Sequence, residues 1–205
     1  MKERPILFNA PMVRALLNGS KTQTRRIVKQ KLMQLGDGDW HSFDHKGLNY
    51  RVNARHTTVG AWANLLQFCP YGQPGDQLWV REAWRTVAEA DPLPPRLMTA
   101  AYRIWFEADS PHQPGYGKYR PSMFMPRWAS RIQMEIVSVR VERLQDISEA
   151  DALAEGITYA QLPGNQQDDA KAITWYRGLW ETINGTGSWE ANPWVWCINF
   201  RRIES

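Results

Sequence analysis

The stretch Gly19-Ser20-Lys21-Thr22-Gln23-Thr24-Arg25-Arg26 decides the fold, and it begins where a short helix must end. Pro11 suits the first position of that helix, with Asn9 or Ala10 before it as the cap. The apolar residues of one helical face are Met12, Val13, Leu16 and Leu17. Gly19 ends the helix, because glycine readily adopts the left-handed conformation found there. The sequence thus predicts one short helix, from whose C-terminal end the basic, threonine-rich segment departs.

Alternating or continuous apolar residues elsewhere predict strands, at residues 6–8, 78–84, 100–106, 132–144 and 194–203. In the strand predicted at 132–144 the alternation changes phase. Ile136 ends the first series and Val137 begins the second, so we expect a one-residue bulge that restores a single buried face. On 78–84 the residues Leu78, Val80, Glu82 and Trp84 share one face, which places Glu82 among apolar neighbours.

Two more helices are predicted after the long strand. Ser148 caps the first of them with Asp151 in a variant of the capping box, and Gly156 ends it. The second spans 173–183 and is closed by Asn184-Gly185. Together with 13 prolines and 14 glycines, these elements predict a mixed α+β fold: a small β-barrel with flanking short helices. We expect one domain over 1–205, with long, irregular loop insertions at about 31–74 and 88–122, the first with a hairpin as an alternative.

Composition narrows the classes of partner and location. The chain has 205 residues and a formal net charge of +4, which modestly favours a polyanionic partner. Cys69 and Cys197 are far apart and resemble no metal-ligand pair, so we expect reduced thiols and a cytoplasmic protein. No signal-peptide pattern or membrane-length apolar run is present. We expect neither a metal nor a cofactor, and oligomeric state is not predicted.

The Gly19–Arg26 segment resembles the G-x-K-x-x-T-x-R signature of ASCH domains. Three further features resemble the longer, phage or prophage type of this family: Gly75-Asp76-Gln77-Leu78-Trp79-Val80-Arg81-Glu82, the strand ending near Leu144, and the helix beginning at Ser148. The resemblance covers the ends and middle of the chain but not the two insertions. It implies a PUA-like β-barrel, a fold related to RNA-binding modules, and hence a nucleoside or nucleic acid ligand.

Some ASCH proteins are amidohydrolases that deacetylate N4-acetylcytidine with a lysine, a threonine and a glutamate. The resemblance places the first two at Lys21 and Thr24. In those enzymes the glutamate lies near the end of a helix with a Leu-[Ser/Thr]-Glu-like start, which the stretch Ile147-Ser148-Glu149 matches. The resemblance therefore implies Glu155 as the third catalytic residue and a metal-independent hydrolase acting on a modified cytidine nucleoside.

The chemistry of amide hydrolysis agrees with these residue types. Thr24 can act as nucleophile if Lys21 is neutral part of the time and accepts its proton. Burial and the charges of Arg25 and Arg26 would both lower the pKa of Lys21. Glu155, at a helix C-terminus, is favoured in its protonated form and can protonate the departing amine. Residues three apart in a straight strand point to opposite faces, so we expect a bend at residues 21–24.

A second group of residues is interpreted as contacting substrate or RNA, because it combines charge with aromatic rings. It comprises Arg25, Arg26, Glu82, Trp84, Arg127, Trp128, Arg131, Asn192 and Trp194. Two alternatives stay open within this group: the tryptophans are core residues, and Glu82 forms a buried ion pair with an arginine. Two alternatives also stay open for the function: a non-catalytic module that binds single-stranded RNA, and an ASCH-type ribonuclease.

Overall fold

The fold is mixed α+β. The computed structural model of the chain describes residues 1–29, 31–34, 40–43, 49–52, 66, 69–109, 115–157 and 172–203. The strands are β1 (Glu3–Leu7), β2 (Gln23–Ile27), β3 (Lys31–Gln34), β4 (Trp40–Phe43), β5 (Asn49–Val52), β6 (Gln77–Arg81), β7 (Trp84–Arg85), β8 (Trp105–Phe106), β9 (Gln133–Arg143) and β10 (Trp194–Ile203). The α-helices are α1 (Ala10–Leu17), α2 (Glu149–Ala154) and α3 (Ala172–Asn184).

The main sheet has the order β1-β6-β9-β10-β2. β1 pairs with β6 in parallel, and the other neighbours are antiparallel. In the described residues β1 and β2 remain the two edges, so closure of a barrel by strand pairing is not observed. The edges nevertheless approach each other, because the Arg26 guanidinium on β2 donates a hydrogen bond of 2.8 Å to the carbonyl of Leu7 on β1. The sheet is therefore strongly curved around the core.

The phase change in the longest strand is a β-bulge, as predicted. Along β9 and β10 the partner of Asn199 is Ser138, whereas the partner of Phe200 is Ile136. Val137 is the extra residue and is 54% exposed, although the alternation had assigned it to the second buried series. Ile136 and Val139 are buried on either side of it. The bulge thus keeps one face of β9 apolar while the strand bends.

The helix ends also follow the sequence signals. The side chain of Asn9 accepts a hydrogen bond from the amide of Met12 and caps α1. Ser148 and Asp151 form the reciprocal capping box of α2. Gly19, Gly156 and Gly185, which follow the three helices, all have positive φ. These local interactions fix the ends of elements that are individually too short to be stable in isolation.

Two apolar clusters lie on the two faces of β10. The first packs α1 against the sheet and includes Ile6, Val13, Leu16, Trp196 and Ile198. The second packs α2 and α3 against the other face and includes Leu144, Tyr176, Trp180, Val195 and Cys197. Burial of each large apolar side chain contributes about 1.5–3 kcal/mol relative to exposure. β10 is therefore buried on both faces and not only on the one that its alternating Trp194, Trp196, Ile198 and Phe200 predict.

Three sequence predictions need correction. The strand expected at 78–84 ends at Arg81 and resumes as β7 in a separate two-stranded sheet with β8. It ends there because its neighbour β1 stops at Leu7, the partner of Arg81, and β9 begins only at Gln133. Of the strand expected at 100–106, only Trp105–Phe106 is extended. The insertion at 31–74 is not wholly irregular: it contains the antiparallel sheet β3-β4-β5, so the alternative with a hairpin is the better prediction.

The segment from β7 to β9 has an apolar cluster of its own. Trp84, Met98 and Met125 are buried in it, with Ala90 and Ala129. Short 3-10 turns at Ala88–Ala90, Pro95–Leu97, Ser122–Phe124 and Arg127–Ala129 position these side chains. Among the described helices, none is long and apolar enough to cross a membrane.

Candidate functional site

A cavity of about 250 Å³ opens at the free edge of β2. Thr24, Arg25, Arg26 and Lys29 line it from β2 and the residues that follow. Glu155, directly after α2, and Tyr176 and Trp180, on α3, line the opposite side. The cavity therefore lies where the two cores meet the strand edge, and two of the three residues that the sequence predicts as catalytic, Thr24 and Glu155, line it.

Lys21 forms a buried ion pair with Glu155. Its Nζ lies 2.8 Å from Oε2 of Glu155 and donates further hydrogen bonds of 2.8 Å to the carbonyls of Gln23 and Glu155. Both side chains are almost fully buried. Burial lowers the pKa of Lys21 below its ordinary value, and the carboxylate of Glu155 opposes that effect. The charges of the neighbouring arginines lower this pKa further, as the sequence predicts.

Arg25 is buried among carboxylates that come from distant parts of the chain. Its Nη2 lies 2.5 Å from Oε1 of Glu142 and 3.2 Å from Oδ2 of Asp151, and its Nη1 lies 3.5 Å from Oε1 of Glu155. Nη1 also donates to the side chain of Gln23. These acceptors contact both terminal nitrogens of the guanidinium, whereas its buried Nε has no partner among the described residues. Arg25 therefore helps to position Glu155.

The hydroxyl of Thr24 has no hydrogen-bond partner among the described residues, although Thr24 is only 1% exposed. Leaving a buried hydroxyl without a partner costs roughly 1–3 kcal/mol. An unpartnered buried polar group in a native structure calls for an explanation, and a ligand that supplies the missing partner is one. Thr24 lines the cavity, but its hydroxyl oxygen is itself closed to solvent, so a bound molecule reaches it only if a neighbouring side chain moves.

Thr24 and Lys21 do not converge through a bend of the strand. β2 pairs with β10 in regular register from Gln23 to Ile27, so Thr24, opposite Ile198, faces the first core. Arg25, opposite Cys197, faces the second. The long side chain of Lys21 extends toward the first core instead. Its Nζ lies 5.4 Å from the ring centroid of Phe8, which belongs to that core. The predicted bend is thus not found within β2.

Gly156 allows Lys21 to approach the end of α2. Its φ is +94°, and a Cβ added there would lie 2.8 Å from Cβ of Ala15 and 3.0 Å from Cβ of Lys21. Lys21 also forms a backbone bridge with Glu155. Only a residue without a side chain fits between α1 and the start of the Lys21 side chain.

We expect Gly156→Ala to be more destabilising than Gly185→Ala, by about 1–3 kcal/mol in urea denaturation. The two glycines share the same backbone strain, since φ at Gly185 is +95°, but open space surrounds Gly185. The difference between the variants therefore measures the close contacts with Ala15 and Lys21. Equal losses of stability would show that backbone conformation alone requires glycine at 156.

Tyr176 and Trp180 line the cavity, but the sequence analysis placed them only within the helix predicted at 173–183 and not among the candidate site residues. The hydroxyl of Tyr176 lies 3.5 Å from Oε1 of Glu155, and burial followed by the charge of Glu155 raises the pKa of Tyr176 well above its ordinary value. Nε1 of Trp180 is buried and has no partner among the described residues. Both polar groups lie on a helix face that otherwise packs in the core. Polar groups on such a face were the only sign in the sequence that these residues belong to a site.

Glu82 and Arg131 form the buried ion pair that was one of the alternatives. Nε and Nη2 of Arg131 lie 2.9 and 3.0 Å from the two carboxylate oxygens of Glu82. Asp109 binds the other side of the same guanidinium at 2.6 and 2.7 Å. Burial raises the pKa of Glu82, although the contact with Arg131 opposes this. This network lies outside the lining of the β2 cavity.

The other residues interpreted as ligand contacts have structural neighbours. Trp84 is fully buried and packs edge-on against Trp128, with ring centroids 6.4 Å apart. Arg127 pairs with Glu3 at 2.9 Å. The side chain of Asn192 accepts a hydrogen bond from the amide of Gln145, and Arg143 lies over the ring of Trp194. None of these five residues, Trp84, Arg127, Trp128, Asn192 and Trp194, lines the β2 cavity.

Comparison of the chain with protein-family models, curated proteins and solved structures gave no match. The interpretation of the site therefore rests on its own geometry. In the described residues, no three side chains of His, Cys, Asp or Glu are grouped as a metal site.

Proposed function

We propose that this protein is an ASCH-type, metal-independent amidohydrolase that removes the acyl group from N4-acetylcytidine-like substrates. The observation that carries the proposal is the unpartnered hydroxyl of Thr24, which lines one cavity with Glu155, the partner of the buried Lys21. A nucleophile, a base and an acid are the groups that amide hydrolysis needs.

The Lys21–Glu155 pair holds the number of protons that this chemistry requires. Transfer of one proton across the 2.8 Å contact converts an ammonium and a carboxylate into an amine and a carboxylic acid. The first can then act as base and the second as acid without a change in total charge. Burial lowers the pKa of Lys21, which favours its amine form.

The proposed reaction balances over two steps. The Thr24 oxygen bonds to the acyl carbon while its proton passes to Lys21. The bond between the acyl carbon and N4 breaks as Glu155 protonates N4 of the leaving cytosine. Water then attacks the acyl-threonine ester and gives its proton to the Glu155 carboxylate. Lys21 returns its proton to the Thr24 oxygen, and a carboxylic acid is released.

The straight course of β2 sets a condition on this mechanism. Lys21 Nζ contacts three acceptors and not the hydroxyl of Thr24, so it must exchange one of them for Thr24 when substrate binds. The Tyr176 hydroxyl donates to Oε1 of Glu155 at 3.5 Å, and its raised pKa keeps it protonated, so it can exchange that weak contact for the acyl oxygen when substrate binds.

The free edge of β2 suits a planar base. The amide of Val28 donates to the carbonyl of Trp194, and the carbonyl of Thr22 accepts from the amide of Phe200. Because alternate residues of an antiparallel strand face its partner, the backbone groups of Arg25 and Ile27 are directed toward the cavity edge. They offer paired donors and acceptors of the kind that a cytosine ring carries.

The same proposal includes the finer description of the fold as a PUA-like barrel. Its support is the curvature that brings Arg26 on β2 to the carbonyl of Leu7 on β1, together with the helices at the positions that the resemblance implies. A strongly curved mixed sheet of this kind is an open relative of a small barrel.

We expect the purified protein to release cytidine from N4-acetylcytidine, as measured by chromatography. Thr24→Val should lower kcat/KM at least about a thousandfold, because it removes the nucleophile but preserves shape. Thr22→Val is the matched control: Thr22 is exposed and lies outside the cavity lining, so its activity should stay within about threefold of the original protein. Absence of cytidine release by folded protein, or full activity of Thr24→Val, would overturn the proposal.

A further inference from the structure

Two cations at the mouth of the cavity are not used by the proposed chemistry. Arg26 and Lys29 both line the cavity, and within the described residues neither forms an ion pair. Arg25, the third cation of the lining, differs from them because carboxylates neutralise it. The positive charge of Arg26 and Lys29 is therefore uncompensated at the point where a ligand enters.

Arg26 is held in place for such a contact. One of its terminal nitrogens donates to the carbonyl of Leu7 at 2.8 Å, and its guanidinium lies 5.2 Å from the ring centroid of Phe8. These contacts fix the plane of the guanidinium while leaving other N–H donors of the group unused. A fixed guanidinium with an adjacent lysine is the arrangement that recognises a phosphate.

The cavity is large enough for the base of the substrate but not for the whole nucleoside. Its volume of about 250 Å³ is below the roughly 300 Å³ at which pockets for whole drug-sized ligands begin. An acylated base fits inside, whereas the ribose and anything attached to it must remain at the mouth. Of the cations in the lining, Arg26 is partly exposed and Lys29 is exposed, whereas Arg25 is buried, which places Arg26 and Lys29 on the solvent side of the cavity.

We propose that the substrate carries a phosphate on its ribose, bound by Arg26 and Lys29, so that the site takes a cytidine nucleotide or a nucleotide within an RNA strand in preference to the free nucleoside. The identity of the base in this inference rests on the proposed function. The phosphate contact itself rests on the uncompensated charge and the geometry of the cavity mouth.

Binding without turnover tests this contact. Calorimetric titration would compare cytidine with cytidine 5′-monophosphate, cytidine 3′-monophosphate and the dinucleotide uridylyl-(3′→5′)-cytidine. At least one phosphorylated ligand is expected to bind about tenfold more tightly than cytidine at low salt. The preference should shrink as ionic strength rises, because the contact is partly exposed. If only the monophosphates bind more tightly than cytidine, the ligand is a free nucleotide. If the dinucleotide binds as tightly as the monophosphates, the ligand is a nucleotide within a strand.

Lys29→Gln and Arg26→Gln should each lower this preference at least about threefold. Lys2→Gln, which removes the same charge outside the cavity lining, should retain it. The inference is overturned if no phosphorylated ligand binds more tightly than cytidine, or if both cavity variants keep the original preference. Tighter binding of a nucleotide without any deacylation of its N4-acetyl form would retain the phosphate contact and reject the proposed function, so the two failures are distinguishable.

Discussion

Replacing Lys21 with methionine is expected to lower the free energy of unfolding by about 3–5 kcal/mol, because it removes the cation that contacts the buried carboxylate of Glu155 at 2.8 Å and leaves only the longer contact with Arg25 at 3.5 Å. The carbonyls of Gln23 and Glu155 also lose the donor that they share. For a chain of this length the melting temperature should fall on the order of 10 °C. Urea denaturation followed by tryptophan fluorescence would measure the loss, and deacylation by the remaining folded protein should be abolished.

A double-mutant cycle separates the ion pair from simple packing. Glu155→Gln keeps an oxygen that can accept from Lys21, and Lys21→Met combined with Glu155→Gln removes both charges. The double variant should lose less stability than the sum of the two single variants, by at least about 1 kcal/mol. Strict additivity, or a Lys21→Met variant as stable as the original protein, would show that the two groups are not coupled in solution.

Replacing Arg25 with methionine is expected to cost about 3 kcal/mol or more, since its fully buried guanidinium faces three carboxylates. Arg140→Met is the matched control. Arg140 contacts two of the same carboxylates, Glu142 at 2.8 Å and Asp151 at 2.9 Å, but its side chain is 37% exposed. A pair open to solvent contributes about 0–1 kcal/mol. Similar losses from the two variants would contradict a special role for the buried arginine.

The pH dependence of stability gives a second test of Arg25. Partial burial acts to raise the pKa of Asp151, but hydrogen bonds from Gln23 and Ser148 and nearby arginines hold it well below its ordinary value. The pKa of Glu142 is lowered as well. Carboxylates with a lowered folded pKa contribute stability above their unfolded pKa of about 4, and that stability is lost as the pH falls. Between roughly pH 5 and pH 3 the original protein should therefore lose more stability than Arg25→Met.

The elements that the sequence predicted well depend on neighbours a few positions apart. The cap of α1 joins Asn9 to Met12, and the capping box of α2 joins Ser148 to Asp151. The bulge at Val137 follows from a phase change visible over a few residues. Periodicity of this kind survives without tertiary contacts, because it reflects the geometry of single helices and strands. The mixed α+β class follows from the same patterns.

The elements that were predicted incorrectly depend on partners outside their own segment. Residues 78–84 alternate as one strand, yet β6 stops where β1 ends and β9 has not begun. Trp84 then belongs to a cluster built by later loops. No local pattern reports where a neighbouring strand ends, so the length of β6 could not be read from its own residues.

By itself, the sequence determined which residue types are available to the site and placed Lys21, Thr24 and Arg25 at the end of a short helix. Only the tertiary structure decided their environments. Glu155, 134 positions away, pairs with Lys21, and Glu142, 117 positions away, neutralises Arg25. β2 is paired in regular register, so Thr24 and Arg25 face different cores. Both nevertheless line the cavity at the edge of β2, where residues of α3 line it as well. Long-range packing sets burial and pairing, and these decide which arginine is buried among carboxylates and which remains at the mouth of the cavity.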